Sequence, residues 1–251
     1  MNFINPPTES PQNVTHKTFY SQILNHEVGY NIYLPPCYND CGEKYPVVYH
    51  LHGWTGNESS EIWPLEKAYQ NSRAITVFAN VISSEDGYLE ALLQIELVII
   101  KELISYIDGH YRTDATRENR ALSGFSMGGN MAFYYAVKHP ELFGTVTAYA
   151  GTYHHLYHKG SQTVGAEPEK AIELYEEMIR EKRYLEENNI LGLVQQNADQ
   201  IRGKLRISIH VGTADILFCD NEIIHFHLDS LNIPHEYRIF EGIGHELKKI
   251  V

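Results

Sequence analysis

The sequence predicts a single α/β domain with a mostly parallel β-sheet and helices on both faces of that sheet. Strand-like and helix-like segments alternate from residue 47 to residue 240, and no repeat or low-complexity linker interrupts them. Such alternation is what a parallel sheet covered by helices requires. Hydrophobic residues make up 43% of the 251 residues, which is enough apolar material for one large core.

The N-terminal region is predicted to differ from the rest. Residues 1–14 contain three of the prolines and predict an extended lead-in to a domain that spans 15–251. Two β-rich runs between residues 15 and 34 lie on either side of Asn25 and His26. They predict an antiparallel hairpin.

Local periodicity predicts the remaining elements. We expect strands at 47–52, 74–79, 120–125, 145–150, 205–211 and 235–240. We expect helices at 59–72, 88–111, 130–138, 166–201 and 221–231. The 166–201 segment is rich in glutamate, and it is either a solvated helical face or a cap over an active site.

Charge and composition exclude several classes of function. The net charge of −12 would repel a phosphate backbone or an anionic membrane surface, so no nucleic acid or membrane partner is expected. No segment has the ~18 consecutive apolar residues of a membrane span, and the first residues do not resemble a signal peptide. These features predict a soluble cytoplasmic protein.

The three cysteines predict neither a disulfide framework nor a metal site. Cys37, Cys41 and Cys219 are odd in number, and their spacing matches no zinc signature. We expect loop or core thiols, with a Cys37–Cys41 bridge as the alternative in an oxidising compartment. No metal and no organic cofactor are predicted.

The strongest motif is Gly124-Phe125-Ser126-Met127-Gly128, which fits G-x-S-x-G between a predicted strand and a predicted helix. A nucleophile on such a sharp strand-to-helix turn is typical of the α/β-hydrolase fold. The flanking glycines avoid clashes where the chain reverses. Ser126 is therefore the predicted nucleophile.

A serine hydroxyl needs a positioned base, and in this fold the order along the chain is Ser, then Asp or Glu, then His. His245 follows the last predicted strand between glycine-rich residues and is the predicted base. The other histidines considered are those beside the preceding helix and strand and those that could line a substrate cleft: His225, His227, His235, His154, His155 and His158.

The acid must lie between the nucleophile and the base, at the end of a strand. Asp215 has this position, and Asp220 is its rival. An oxyanion hole needs two backbone N–H groups. Met127, the residue after the nucleophile, supplies the first, and Trp54 or Gly53 in the loop after an early strand is the candidate for the second.

Five ordered segments resemble the putative-esterase family, which includes feruloyl esterases of carbohydrate esterase family 1, S-formylglutathione hydrolases and mycolyltransferases. These segments are Tyr33-Leu34-Pro35-Pro36, residues 45–53, Ser126-Met127-Gly128-Gly129, Gly212-Thr213-Ala214-Asp215 and Gly244-His245. The resemblance implies Ser126, Asp215 and His245 as the triad, and so favours Asp215 over Asp220. Two features depart from the family: residues 80–93 lack the usual aromatic and glycine-rich loop, and the chain stops six residues after His245.

The resemblance implies a serine carboxylesterase that acts on small-molecule or oligosaccharide esters, such as feruloyl, cinnamoyl or acetyl esters. One alternative is a thioesterase of the S-formylglutathione hydrolase type. The alternative from another class is a catalytically silent binding module, which the short C-terminus suggests.

Overall fold

The computed structural model describes residues 2–81, 94–153, 165–180 and 189–251. The chain divides into two compact units, Met1–Leu122 and Ser123–Val251.

The described residues of the first unit form both strands and helices. Its strands are β1 (Val14–Ser21), β2 (His26–Tyr33), β3 (Val47–Leu51) and β4 (Ile75–Ala79), and its α-helices are α1 (Glu66–Gln70) and α2 (Ile104–His110). A π-helical segment, Val98–Leu103, precedes α2, and a 3₁₀ turn, Arg117–Asn119, precedes the next strand, β5 (Arg120–Phe125).

The second unit alternates helices with parallel strands. Its strands are β6 (Thr145–Tyr149), β7 (Arg206–Gly212) and β8 (Glu236–Phe240). Its α-helices are α3 (Met127–Lys138), α4 (Ala171–Arg180), α5 (Ile190–Ile201), α6 (Phe218–Ser230) and α7 (Leu247–Ile250), with a 3₁₀ turn at Pro168–Lys170.

The eight strands form a mixed sheet in the order β1-β2-β4-β3-β5-β6-β7-β8. β1 pairs with β2 and β2 with β4 in antiparallel register, whereas β3/β4, β6/β7 and β7/β8 are parallel pairs. The N-terminal hairpin is therefore confirmed, and its turn uses Asn25 at a φ of 54°. The prediction of a mostly parallel sheet with helices is also confirmed.

Burial explains why β3 and β4 are mostly apolar. All five residues of β4 are buried, as are four of the five in β3. A parallel strand covered on both faces is expected to be a continuous apolar run. In the second unit the same reasoning applies to Val146, Ile209 and Val211, none of which is exposed to solvent.

Two predicted helices of the first unit are shorter or less regular than expected. Of the predicted helix 59–72, only Glu66–Gln70 is helical and residues 58–65 form turns. Pro64 lies in that stretch, and a proline lacks the N–H that a helix interior needs and restricts the residue before it. Helix 88–111 is confirmed from residue 94 to 110, with the unpredicted π segment inside it, while 88–93 lie outside the described residues.

Two helices of the second unit begin earlier than predicted. α3 begins at Met127, directly after the serine turn, and α6 begins at Phe218. The predicted helical segment 166–201 contains a 3₁₀ turn, α4 and α5, and residues 181–188 lie outside the described part. Its possible role as a cap stays a prediction.

The residues after the last strand form a helical turn that the sequence did not predict. Ile250 of α7 is fully buried in a cluster with Ala150, Val211 and Phe218. The Nδ1–H of His210 donates to the carbonyl of Ile250 at 2.7 Å. The last turn is therefore held by both apolar packing and a buried hydrogen bond.

All three cysteines are free thiols in the structure. The Sγ of Cys41 lies 2.8 Å from the hydroxyl of Tyr45, and no bridge joins Cys41 to Cys37. Burial raises the pKa of Cys219 to about 11. Among the described residues, no helix is both long enough and apolar enough to cross a membrane.

Removing Asp108 should destabilise the first unit far more than removing an exposed carboxylate. Asp108 pairs with the mostly buried Arg120 at 2.8 Å and also accepts a hydrogen bond from Thr113 at 2.6 Å. Asp108→Ala leaves the guanidinium without this counter-ion, so we expect a loss of about 3 kcal/mol in the free energy of unfolding, measured in urea.

Glu43→Ala is the matched control, because Glu43 pairs with Arg73 at 3.2 Å where both side chains are more than half exposed. We expect it to cost less than about 1 kcal/mol. Equal losses in the two variants would contradict the structural role given to Asp108.

Candidate active site

Ser126 lies on a strained turn between β5 and α3. Its φ of 55° and ψ of −117° are unusual for a residue with a side chain. Its N–H donates to the carbonyl of Tyr149 at 2.8 Å, and its own carbonyl accepts from Asn130 at 3.1 Å and Thr152 at 3.3 Å. These three hydrogen bonds hold the turn against its strain.

Gly124 is required by the way this turn closes. A Cβ atom at Gly124 would lie 2.1 Å from the carbonyl oxygen of Gly128. Gly129 also packs closely, since a Cβ there would lie 3.0 Å from the carbonyl oxygen of Tyr149. The strand-to-helix turn predicted from G-x-S-x-G is therefore present. As predicted, a side chain at Gly124 would clash where the chain reverses.

Met127 is the first residue of α3 and is buried. The first N–H groups of a helix have no partner within the helix, and the dipole there favours negative charge. The backbone of Met127 therefore has the local geometry expected of an oxyanion donor.

His245 and Asp215 are brought together as the sequence predicted. The Nδ1–H of His245 donates to Oδ2 of Asp215 at 2.8 Å, and the aspartate side chain is fully buried. The other carboxylate oxygen accepts from the N–H of Leu217 at 2.9 Å. With its proton on Nδ1, the His245 ring presents the lone pair of Nε2, which is the tautomer that a general base needs.

The pairing of β7 with β8 explains why these two side chains meet. Gly212 at the end of β7 is in register with Phe240 at the end of β8, so the two following loops leave the same edge of the sheet. The loops are hydrogen-bonded to each other: the N–H of Ala214 donates to Ile243 at 3.1 Å, and the N–H of Gly242 donates to Oγ1 of Thr213 at 2.8 Å.

Gly212 allows the closest approach between these loops. A Cβ atom at this position would lie 1.9 Å from the carbonyl oxygen of Ile243, two residues before the histidine. Any side chain at Gly212 must therefore displace the loop that carries His245.

Phe125 is a site residue that the sequence analysis missed. Its ring is stacked on the imidazole of His245, with centroids 4.5 Å apart and planes at 28°. Phe125 directly precedes Ser126, so the stack brings the histidine beside the nucleophile turn. The motif places no requirement on this position, and no sequence signal could have identified it.

Asp220 has a different environment from Asp215. It lies in the first turn of α6 and lines a small cavity together with Tyr153, Asn189 and Ile223. Burial, and secondarily the charge of Asp220, raises the pKa of Tyr153. The carboxylate that contacts His245 is thus that of Asp215.

The loop after β3 contains the two candidates for the second oxyanion donor. The N–H of Gly53 donates to Oε1 of Glu61 at 2.9 Å, and the other oxygen of Glu61 is hydrogen-bonded to His50. The amide of Gly53 is therefore already engaged within its own loop.

The same loop is also fixed by His52. The Nδ1–H of His52 donates to the carbonyl of Gly53 at 2.8 Å, and its Nε2 accepts from Val81 at 3.1 Å. Burial lowers the pKa of His52, which agrees with a neutral ring in both bonds.

Of the six other histidines considered from the sequence, the structure describes three. His227 is buried and its Nε2 donates to the carbonyl of Leu191 at 2.8 Å, which gives it a structural place. His225 and His235 contact each other at the end of α6. His154, His155 and His158 lie outside the described residues.

Comparison with known proteins agrees with the resemblance. A family model described as "Putative esterase" matches residues 21–248. The endo-1,4-beta-xylanase/feruloyl esterase of Xylanibacter ruminicola is 31% identical over 158 residues, which are 53% of this chain and 20% of that protein. The chain thus matches only about a fifth of the length of that curated relative.

Solved structures share the fold. A ferulic acid esterase superposes with a TM-score of 0.73 at 22% identity, covering 94% of this chain and 92% of the other. An S-formylglutathione hydrolase from Agrobacterium tumefaciens superposes with a TM-score of 0.69 at 20% identity, covering 98% and 93%. These likenesses show the α/β-hydrolase fold. Because the family model matches nearly the whole length, the chain belongs to the putative esterase family.

Proposed function

We propose that this chain is a serine carboxylesterase that hydrolyses aryl or carbohydrate esters, with feruloyl, cinnamoyl and acetyl esters as its substrate class. The observation that carries the proposal is the 2.8 Å hydrogen bond between His245 and the buried Asp215. It lies in the same unit as the strained turn of Ser126. Nucleophile, base and acid then have the roles of a catalytic triad.

In the first step His245 takes the hydroxyl proton of Ser126 on Nε2 while the serine oxygen attacks the ester carbonyl. Asp215 keeps the imidazole in the Nδ1–H tautomer and stabilises the imidazolium that forms. We expect the N–H of Met127 to bind the developing oxyanion, with Trp54 as the candidate from the sequence for the second donor. Collapse of the intermediate breaks the ester C–O bond, and His245 returns the proton to the departing alcohol.

In the second step water replaces the alcohol. His245 takes a proton from water, the hydroxide attacks the acyl-enzyme, and the acid leaves as Ser126 regains its proton. Every proton moves through Nε2 of one histidine. The proposed cycle needs neither a metal nor an organic cofactor.

The choice of substrate class rests on the relatives. The curated relative at 31% identity carries feruloyl esterase in its name, and a superposed structure is a ferulic acid esterase. The S-formylglutathione hydrolase superposes nearly as well, so a thioester is the competing substrate. A side-by-side assay decides between the two.

We expect the protein to hydrolyse methyl ferulate and p-nitrophenyl acetate with a higher kcat/KM than S-formylglutathione. Ser126→Ala and His245→Ala should each lower kcat for every substrate by at least about 10⁴-fold, because the covalent route is lost. Initial rates give these values, and circular dichroism checks that each variant folds.

Ser105→Ala is the control, since Ser105 is an exposed helical serine whose hydroxyl donates to the carbonyl of Lys101 in the preceding π-helical segment. It should retain full activity. A preference for S-formylglutathione would reassign the substrate class, and turnover that survives Ser126→Ala would refute the mechanism itself.

Substituting the two candidate acids should lower kcat to very different extents. Asp215→Asn keeps the shape of the side chain but no longer holds His245 in the required tautomer, so kcat should fall by about 10³- to 10⁴-fold with little change in KM. Asp220→Asn should lower kcat by less than about tenfold, because Asp220 lies in α6 beside Tyr153. The reverse order would assign the acid to Asp220.

Gly212→Ala should lower kcat without unfolding the protein. Its Cβ would displace the Ile243 carbonyl and shift the His245 loop, and a misplacement of about 1 Å can cost roughly 10²-fold in rate. Gly109→Ala is the control because a Cβ there meets no atom within 4 Å. Equal activity of the two variants would show that the approach of the loops does not position His245.

A further inference from the structure

We propose that His225, Asp229 and His235 form a binding site for a divalent transition-metal ion, with Zn²⁺ as the ion it fits best. The three residues lie at the end of α6 and just before β8, and one ligand atom from each lies within 4.8 Å of the others. The sequence analysis predicted no metal, because it examined only the cysteines for ligand spacing. The proposal does not depend on the proposed esterase activity.

Local geometry brings the three side chains together. His225 and Asp229 are four residues apart on α6 and therefore share a face, with Nε2 of His225 3.6 Å from Oδ2 of Asp229. The chain then reverses through Asn232, whose φ is 53°. This turn returns His235 to the helix, where its Nε2 lies 2.7 Å from Nδ1 of His225.

His235 has the tautomer that a metal-binding histidine needs, with the proton on Nδ1 and a lone pair on Nε2. Its Nδ1 lies 2.9 Å from the carbonyl oxygen of Ile233, and a carbonyl can only accept, so Nδ1 carries the proton. The lone pair on Nε2 therefore points at His225. Metal-binding histidines usually donate their other N–H to a backbone carbonyl or a carboxylate in this way. The His235 side chain is only 3% exposed, so its ring is held before any ion arrives.

The distances need only a small adjustment. A tetrahedral ion with ligand bonds of about 2.0 to 2.2 Å holds its ligand atoms about 3.4 Å apart. The ligand atoms already lie within 4.8 Å of one another, so Asp229 must move slightly closer and the 2.7 Å contact between Nδ1 of His225 and Nε2 of His235 must open. The Asp229 side chain is 63% exposed and can rotate, while the His225 ring is stacked on Tyr237 at 4.4 Å.

Coordination also balances protons. With His235 donating through Nδ1, the hydrogen bond between the rings requires the proton on Nδ1 of His225. When an ion binds at Nδ1 of His225, that proton moves to Nε2 of the same ring, and no proton is lost.

Two imidazoles and one carboxylate form an N₂O ligand set that suits zinc, copper or nickel, whereas Ca²⁺ and Mg²⁺ prefer oxygen ligands. Water would fill the fourth position.

The site would stabilise the fold and take no part in ester hydrolysis. It joins the end of α6 to the beginning of β8, whereas His245 follows the other end of that strand. An ion that binds only the folded state raises its stability. Zinc bound here should therefore raise the melting temperature and leave kcat unchanged.

The test measures zinc binding to the full chain after treatment with a chelator. Calorimetric titration with ZnCl₂ should show a site whose affinity falls by at least about tenfold in His225→Gln and in Asp229→Asn. Zinc should raise the melting temperature of the wild type by about 3 °C or more, and this rise should be lost in both variants. Asp229 is mostly exposed, so metal-free Asp229→Asn should melt like the wild type and controls for any packing lost in His225→Gln.

Matched controls separate this cluster from other zinc ligands. His110→Gln and Asp199→Asn change an exposed histidine and an exposed aspartate elsewhere and should bind zinc as the wild type does. His245→Ala removes the other His–Asp pair and should keep both the affinity and the thermal shift. The proposal would be overturned if the wild-type protein bound no zinc, or if all variants bound zinc with equal affinity. His225 and His235 would then be only a hydrogen-bonded pair of histidines.

Discussion

The parallel pairing of β7 with β8 is the constraint on which the candidate active site depends. Because Gly212 and Phe240 are in register, the loops that carry the acid and the base begin at the same level of the sheet. The acid loop has no regular structure before α6 and the base loop has none before α7, so their geometry comes from the strands and from the hydrogen bonds that join the loops. Asp215 and His245, which are 30 residues apart in the sequence, are thereby joined by a 2.8 Å hydrogen bond.

The serine turn is organised by a different physical principle. Strand-to-helix reversal over one residue forces Ser126 to a positive φ, and backbone hydrogen bonds from Thr152 and to Tyr149 oppose that strain. The same reversal puts the first amides of α3 next to the nucleophile. Strain and anion binding thus come from one local feature of the backbone.

Much of this arrangement could be predicted from the sequence. G-x-S-x-G, with a strand before it and a helix after it, identifies the turn because only a few backbone geometries tolerate that pattern. The order of Ser126, Asp215 and His245 identified the pair that the structure joins. The positions of β3 and β4 were predicted well because buried parallel strands are nearly continuous apolar runs.

The features that were missed depend on contacts between distant segments. The stack of Phe125 on His245, the bond from Gly53 to Glu61 and the burial of Ile250 are tertiary contacts with no local signature. Helix 59–72 was predicted too long because apolar periodicity was given more weight than Pro64. The His225–His235 contact requires the turn at Asn232, which spacing alone does not specify.

The environment of Asp215 has a consequence for how such a site diversifies. Both of its oxygens are already bound, one by His245 and one by the amide of Leu217, and its side chain is shielded from solvent. Because the side chain is fully buried, a substrate does not reach it, so selection on substrate preference acts on other residues. The acid and base can stay unchanged while the surrounding loops change in sequence. The reaction mechanism can therefore be kept while substrate specificity changes.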